Sequence, residues 1–174
     1  IPSVSAIIMS NATASTIRFP QRVGRGMRLF KNKETCEIYE ILLNVDKELK
    51  WSEDNFFEYR EQKFVKEKIY VNNEGVKVEY IPTNYWGEIV INESISVVKP
   101  IFHSIILFNE YKDNKAKIPY ILKSCNDLKL KGKKFIIYSE FGDTENFISK
   151  LKEMKIKVVD LYAKLSKKQR NKKL

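Results

Sequence analysis

The chain has 174 residues, which suits one domain, and 43% of them are hydrophobic, which excludes extended disorder for most of the length. The formal net charge of +10 favours a polyanionic partner such as nucleic acid, although a solvated basic surface gives the same balance. Two cysteines that stand far apart and a single histidine indicate neither a disulfide framework nor a metal cluster. No apolar run approaches the roughly 20 residues that cross a bilayer, so we expect a soluble protein of the cytoplasm, or of a host cell if the source is a phage or virus, without a membrane partner.

The first half of the chain shows alternating strand and helix patterns. Apolar runs and period-two alternation indicate strands, whereas an apolar stripe with charged residues opposite indicates a helix. In chain order, the predicted elements are a buried strand over 5–10, a helix beginning near Arg18, a strand over 37–43, a helix over 56–70 ended by Gly75, and a strand over 76–81.

The second half begins with β-rich segments, which are followed by alternating helix and strand patterns. In chain order, the predictions are β-rich stretches over 86–91 and 96–108 that Pro100 interrupts, a helix over 117–130, a buried strand over 133–139, a helix over 144–154, a strand over 156–162 and a further helix from Ser166. Strand, helix and strand in succession indicate a parallel crossover, and therefore an α/β fold. His103 has no second histidine or nearby cysteine, so we expect it to be a structural residue.

Residues 21–28 carry the most specific pattern in the chain, Gln-Arg-Val-Gly-Arg-Gly-Met-Arg. This octapeptide resembles motif VI of superfamily 2 helicases and translocases, Gln-Arg-x-Gly-Arg-x-x-Arg, at every defined position. Residues 1–9, just before it, look like the end of motif V and its following strand. Arg25 and Arg28 stand three residues apart, which predicts that they share one helical face and can converge on one phosphate.

The resemblance to motif VI implies a nucleotide site shared with another lobe. Arg25 and Arg28 would be catalytic arginine fingers, because a guanidinium stays charged and can neutralise charge that develops on the γ-phosphoryl group of ATP. Gly24 and Gly26 permit close backbone approach at a cost of ~1 kcal/mol each relative to alanine, which a purely structural helix would avoid. ATP with Mg²⁺ would be held mainly by a first lobe, and the residues implied to contact ATP from this chain are Gln21, Arg22, Gly24, Arg25 and Arg28.

A second resemblance lies near the other end of the chain. Residues 133–141, Lys-Lys-Phe-Ile-Ile-Tyr-Ser-Glu-Phe, resemble motif IV of the same superfamily, and residues 160–170 resemble the next conserved stretch. In relatives these segments lie along the nucleic-acid backbone, where hydroxyls and lysines bind phosphates without reading sequence. The resemblance therefore implies nucleic-acid contacts by Ser139, Lys164 and Ser166.

The order of the motifs is reversed, because the family runs from motif IV to V to VI. The resemblance implies a RecA-like parallel sheet flanked by helices that is circularly permuted or rearranged, or else the end of one helicase followed by the lobe start of another. Residues 57–81 resemble the C-terminal extension of phage recombination helicases of the UvsW type. We therefore divide the chain into 1–84, the motif V and VI half with its extension, and 85–174, the lobe-linker strands and motif IV half.

The sequence contains no Gly-x-x-x-x-Gly-Lys-Ser/Thr loop and no Asp-Glu-x-Asp/His sequence, which are the family's means of holding ATP and magnesium. We therefore expect a second RecA-like lobe of a helicase, inactive alone, with a first lobe in cis or in trans and nucleic acid as partners, DNA being favoured over RNA. Two alternatives stay open. The chain could be a non-catalytic basic module that binds nucleic acid, or a motor fragment of a restriction enzyme.

Overall fold

A computed structural model describes residues 3–12, 17–57, 64–71, 77–85, 98–107, 114–139 and 144–159. These residues belong to two compact units, 1–141 and 142–174. The elements of the first unit, in chain order, are β1 (Val4–Met9), α1 (Arg18–Gly26), β2 (Thr35–Leu43), α2 (Asp46–Phe57), β3 (Phe64–Val71), β4 (Lys77–Tyr85), β5 (Lys99–Leu107), a 3-10 helix (Asn114–Lys117), α3 (Ile118–Leu130) and β6 (Lys134–Tyr138). The second unit contains α4 (Thr144–Glu153).

The strands form one sheet in the order β4-β3-β5-β2-β1-β6. All neighbouring pairs are parallel except β3 and β4, which are antiparallel. In the middle of β1, Ile7 is paired with Ile38 of β2 on one side and with Ile136 of β6 on the other. The predicted α/β class with a parallel sheet flanked by helices is confirmed, and the arrangement is consistent with a RecA-like fold.

Helices flank the sheet, as is typical of parallel sheets. Helix α1 packs on β1, and α3 contacts β1 and β6. Side chains of successive strand residues point to opposite faces, so the fully buried Ile7 and Ile8 contribute to different sides of the core. One buried apolar cluster consists of Ile7, Met9, Phe19, Val23, Cys36, Ile38, Val98 and Phe102. A smaller cluster joins α2 to the sheet through Ala12, Leu42, Leu49, Trp51 and Ile106.

Most predicted elements are confirmed, but the predicted helix over 56–70 is wrong. Helix α2 ends at Phe57, and the later part of that segment is strand β3, Phe64–Val71. The apolar spacing in this segment fits either period, and pairing with β4 and β5 supplies backbone hydrogen bonds that a local pattern cannot reveal. The first turn of α2 carries Asp46 and Glu48, whose charges favour a helix start, yet the sequence reading missed this helix.

Two further expectations are changed. Pro100 does not interrupt β5, because it is the second residue of the strand and the pairing with β3 begins only at Ile101. Residues 156–159, expected to begin a strand, have no regular secondary structure. The expected helix stop at Gly75, the β-rich stretch over 86–91 and the helix from Ser166 lie outside the described residues.

The described part of the second unit contains a short amphipathic helix with a defined end. In α4, Phe147 and Leu151 are buried and stand one turn apart. Lys155 has a φ of 60°, and the Ile156 N–H donates to the Leu151 carbonyl at 3.0 Å, so the helix ends in a left-handed cap. Across the described ranges, no helix is long and apolar enough to cross a membrane.

The two glycines of α1 have different surroundings. Gly26 is buried against the sheet, where an added Cβ would collide with Cys36 Sγ and lie 2.9 Å from Ile7 Cδ1. Gly24 is exposed, and a Cβ there would meet no atom within 4 Å. Close approach therefore explains Gly26 as a packing residue, whereas the described residues give no such reason for Gly24.

This difference predicts opposite effects of the same substitution. Gly26→Ala should lower the free energy of unfolding by about 1–3 kcal/mol through overpacking. Gly24→Ala, two residues earlier in the same helix, should leave it unchanged or raise it by up to about 1 kcal/mol through helix propensity. Urea unfolding of both variants measures the effect, and equal free energies for the two would contradict this account of α1 packing.

Candidate functional site

The first six residues of the octapeptide, 21–26, lie on α1, which follows β1 and packs on it. Its buried residues Phe19, Val23 and Gly26 are spaced by four and three, which defines one face toward the core. Gln21 and Arg25 are exposed and stand one turn apart on the opposite side. The helix therefore presents a polar amide and a guanidinium to solvent.

Arg22 and Arg25 both lie over the ring of Tyr138. The guanidinium carbon of Arg22 is 4.9 Å from the ring centroid and that of Arg25 is 5.8 Å away, which is the range of a cation–π contact. Tyr138 is the last residue of β6, is paired with Met9 of β1, and accepts a 2.9 Å hydrogen bond at its carbonyl from the Ser10 N–H. The segments that resemble motifs VI and IV therefore meet at the carboxyl ends of two neighbouring strands.

Arg28 lies off the helix, so the expectation that Arg25 and Arg28 share a helical face is wrong. Helix α1 ends at Gly26, and the Met27 N–H donates to the Gly24 carbonyl in the last turn. Arg28 follows in an exposed bend, where its own carbonyl accepts a 2.9 Å hydrogen bond from Lys33 Nζ. Its side chain therefore reaches solvent from a loop and not from the helix face.

The predicted nucleic-acid contacts are described only in part. Ser139 directly follows β6, beside Tyr138, and its side chain is half-buried. Lys164 and Ser166 lie outside the described residues. Of the two motif IV-like segments, the structure therefore places only the first beside α1.

A buried charged cluster was missed by the sequence reading. Glu37 of β2 accepts a 2.7 Å hydrogen bond from Lys133 Nζ, and Lys131 Nζ is 3.8 Å away. His103 Nε2 of β5 lies 3.5 Å from Glu37, and its ring stacks on Tyr39 with centroids 4.4 Å apart. These residues come from distant parts of the sequence, so no local spacing could have indicated the cluster.

The cluster stabilises the charged form of Glu37. The contact with His103, followed by the hydrogen bond and charge of Lys133, lowers the pKa of Glu37 to about 2 although burial acts in the opposite direction. The contacts of His103 with Glu37 and Tyr39 explain why a histidine is accommodated on β5. The arrangement holds a carboxylate ionised and packed.

The two thiols are unsuited to nucleophilic chemistry. Cys36 and Cys125 are free and buried, and burial raises their pKa to about 11 and about 12. A thiol with such a pKa stays protonated near neutral pH, which leaves little thiolate. Within the part of the chain that the structure describes, no three His, Cys, Asp or Glu side chains form a group that could hold a metal ion.

The fold and the helix-borne arginines define an α/β protein with a basic site at the carboxyl ends of β1 and β6. Protein-family models gave no match to the chain, and searches of curated proteins and of solved structures gave none either. Support for a function therefore comes from the motif-like segments and from their geometry.

The low pKa of Glu37 predicts a loss of stability in acid. Glu titrates near 4.5 in the unfolded chain and at about 2 in the folded protein, so its stabilisation is full above about pH 5 and falls as the pH drops toward 2. The shift corresponds to roughly 3 kcal/mol. Urea unfolding from pH 7 to 2 should show Glu37→Gln less stable at pH 7 and less sensitive to acid than the unaltered chain.

Glu34→Gln is the matched control for Glu37→Gln, because it removes one carboxylate from an exposed position just before β2. It should keep the pH profile of the unaltered chain. Identical profiles for Glu37→Gln and the unaltered chain would contradict the assignment of this cluster.

Removing the hydroxyl of Tyr138 and removing its ring should have different effects on the free energy of unfolding. The hydroxyl is buried and has no hydrogen-bond partner among the described residues, so Tyr138→Phe should keep or raise the free energy of unfolding, by up to about 1 kcal/mol. Tyr138→Leu removes the ring beneath Arg22 and Arg25 and should lower it by about 1–2 kcal/mol. Urea unfolding measures both, and a leucine variant as stable as the phenylalanine variant would show that the cation–π contacts contribute nothing.

Proposed function

We propose that the chain is the second RecA-like lobe of an ATP-dependent superfamily 2 DNA helicase or translocase. It supplies arginine fingers to ATP that a first lobe mainly holds, and it contacts the nucleic-acid backbone. The observation that carries the proposal is the position of Arg22 and Arg25 over Tyr138. That contact joins the motif VI-like and motif IV-like segments, which lie far apart in sequence.

The exposure of the α1 side chains fits a phosphate that approaches from outside the lobe. Arg25 and Gln21 are exposed on the helix, whereas Arg22 is half-buried against the sheet. A guanidinium donates several hydrogen bonds in one plane and keeps its charge, which suits phosphate oxygens. In this proposal Arg25 reaches the nucleotide, Gln21 hydrogen-bonds beside it, and Arg22 holds the base of the site.

In this proposal the residues act electrostatically, by stabilising negative charge. ATP with Mg²⁺, when bound by the first lobe, supplies the phosphoryl group and its leaving group, and transfer to water develops negative charge on the phosphoryl oxygens. Arg25 would neutralise that charge from α1. Arg28 would add a second positive charge from the bend after the helix, where its side chain is exposed.

The nucleic-acid role follows from charge and from the motif IV-like segment. The chain carries a formal net charge of +10, which favours association with a polyanion. Ser139, placed directly after Tyr138, offers a hydroxyl for a phosphate oxygen. Lys164 and Ser166 are also proposed to contact the nucleic-acid backbone. Their assignment rests only on the resemblance of residues 160–170 to the family's conserved stretch.

The proposal predicts that ATP hydrolysis requires both lobes and Arg25. Mixing the chain with a first RecA-like lobe of a superfamily 2 helicase should yield DNA-stimulated ATP hydrolysis that neither part shows alone. Arg25→Ala should lower the rate by about 1,000-fold or more, the usual effect of losing an arginine finger. Release of inorganic phosphate under saturating ATP and DNA measures the rate.

Arg18→Ala is the matched control, because Arg18 is an exposed arginine on the same helix but outside the octapeptide. It should keep most of the rate. Equal rates for Arg18→Ala and Arg25→Ala would contradict the finger assignment. DNA binding by the chain without any restored hydrolysis would favour a non-catalytic nucleic-acid module.

A further inference from the structure

The loop that connects α1 to β2 exposes an aromatic and an aliphatic side chain among cations. Leu29 and Phe30 are 60% and 52% exposed, and both Arg28 and Lys31 beside them are exposed. Residues 17–33 contain six basic and no acidic residues. The loop itself, residues 27–34, carries three basic residues and one exposed carboxylate, Glu34, so it is a net positive surface with an exposed apolar ring near its centre.

The loop has a fixed shape, because hydrogen bonds close it at two points. The Lys33 N–H donates to the Phe30 carbonyl at 3.0 Å, and Asn32 at the third position of this turn has a φ of 61°. A positive φ at that position alone defines a type II turn, which asparagine tolerates. Lys33 Nζ also donates to the Arg28 carbonyl at 2.9 Å, so the backbone beneath Phe30 is held at both ends.

We propose that this segment, residues 28–33, which we name the basic turn, binds single-stranded nucleic acid. An unpaired base stacks on the Phe30 ring, and Lys31 binds an adjacent phosphate. Stacking accepts any base, because every base has a π-face, and a fixed turn reduces the entropy lost when the ring is ordered. This contact is distinct from the proposed backbone contacts of Ser139, Lys164 and Ser166 and does not depend on the arginine-finger chemistry.

Single-stranded nucleic acid fits this surface better than other polyanions. A duplex hides its base faces within the stack, so it offers Phe30 phosphates but no ring to stack on. An anionic membrane would match the charge, but Leu29 and Phe30 alone give little apolar area to insert. A single strand offers a base face and a phosphate within one nucleotide of each other, which matches adjacent Phe30 and Lys31.

Fluorescence anisotropy with labelled oligodeoxythymidylate, without ATP, tests the proposal on the full chain. Phe30→Ala should raise the Kd about 5-fold or more. Its slope of log affinity against log salt should stay unchanged, because no charge is lost. Phe30→Trp should retain binding. Lys31→Gln should instead reduce the magnitude of the salt slope by about 0.7.

Leu130→Ala is the control, because Leu130 is 76% exposed at the end of α3, away from the basic turn in sequence. Circular dichroism should show all variants folded, since every substituted side chain is exposed. Equal affinities of Phe30→Ala and Leu130→Ala, no measurable binding by the unaltered chain, or an equal loss of duplex binding would overturn the proposal. So would a Phe30→Ala defect confined to anionic phosphatidylserine vesicles, or to ATP hydrolysis with the first lobe while oligonucleotide binding is unchanged.

Discussion

The close contact between Gly26 and the sheet sets the position of α1, and the candidate site depends on that position. Gly26 has no side chain, so the end of the helix packs directly on the side chains of Cys36 and Ile7. Phe19 and Val23 then fill the core at earlier turns of the same face. Because the buried face is fixed in this way, Arg22 is carried to the edge of that face and reaches the ring of Tyr138.

Pairing of β1 with β6 brings together two motif-like segments that stand far apart in the sequence. A sheet depends on which strands are neighbours and not on the order in which the chain supplies them, which is why rearranged connections are compatible with one core. Here the first and last strands that the structure describes lie side by side and parallel, so Met9 and Tyr138 end at the same edge. Strand β5, from the second half of the chain, lies between β2 and β3 of the first half. One continuous sheet therefore contains strands from both sides of residue 84.

The sequence correctly predicted elements that have a clear local apolar period. It failed for elements whose structure depends on pairing with strands that are distant in the sequence. The strand at β1, the helix from Arg18 and the helix α3 have clear apolar periods, and each was found close to its observed bounds. Strand β3 was mistaken for a helix because its neighbours β4 and β5 determine it. For the same reason the Glu37 cluster could not be predicted, since its partners become adjacent only when strands β2 and β5 and the segment before β6 are assembled. Arg28 was predicted to lie on the helix, but α1 ends at Gly26, only two residues before it.

The aromatic ring beneath the two arginines matters for the proposed chemistry. A carboxylate beside a guanidinium would fix its position, but it would also compensate the positive charge that has to act on a phosphoryl group. An aromatic ring attracts the cation through its quadrupole and carries no net charge, so it orients the guanidinium and leaves the full charge available. Tyr138 is placed beneath Arg22 and Arg25 in this way, and Arg25 stays exposed. An arginine that is proposed to reach a nucleotide on another lobe needs a defined direction and an available charge. In this proposal the ring of Tyr138, at the end of β6, directs Arg25 without adding a charge of its own.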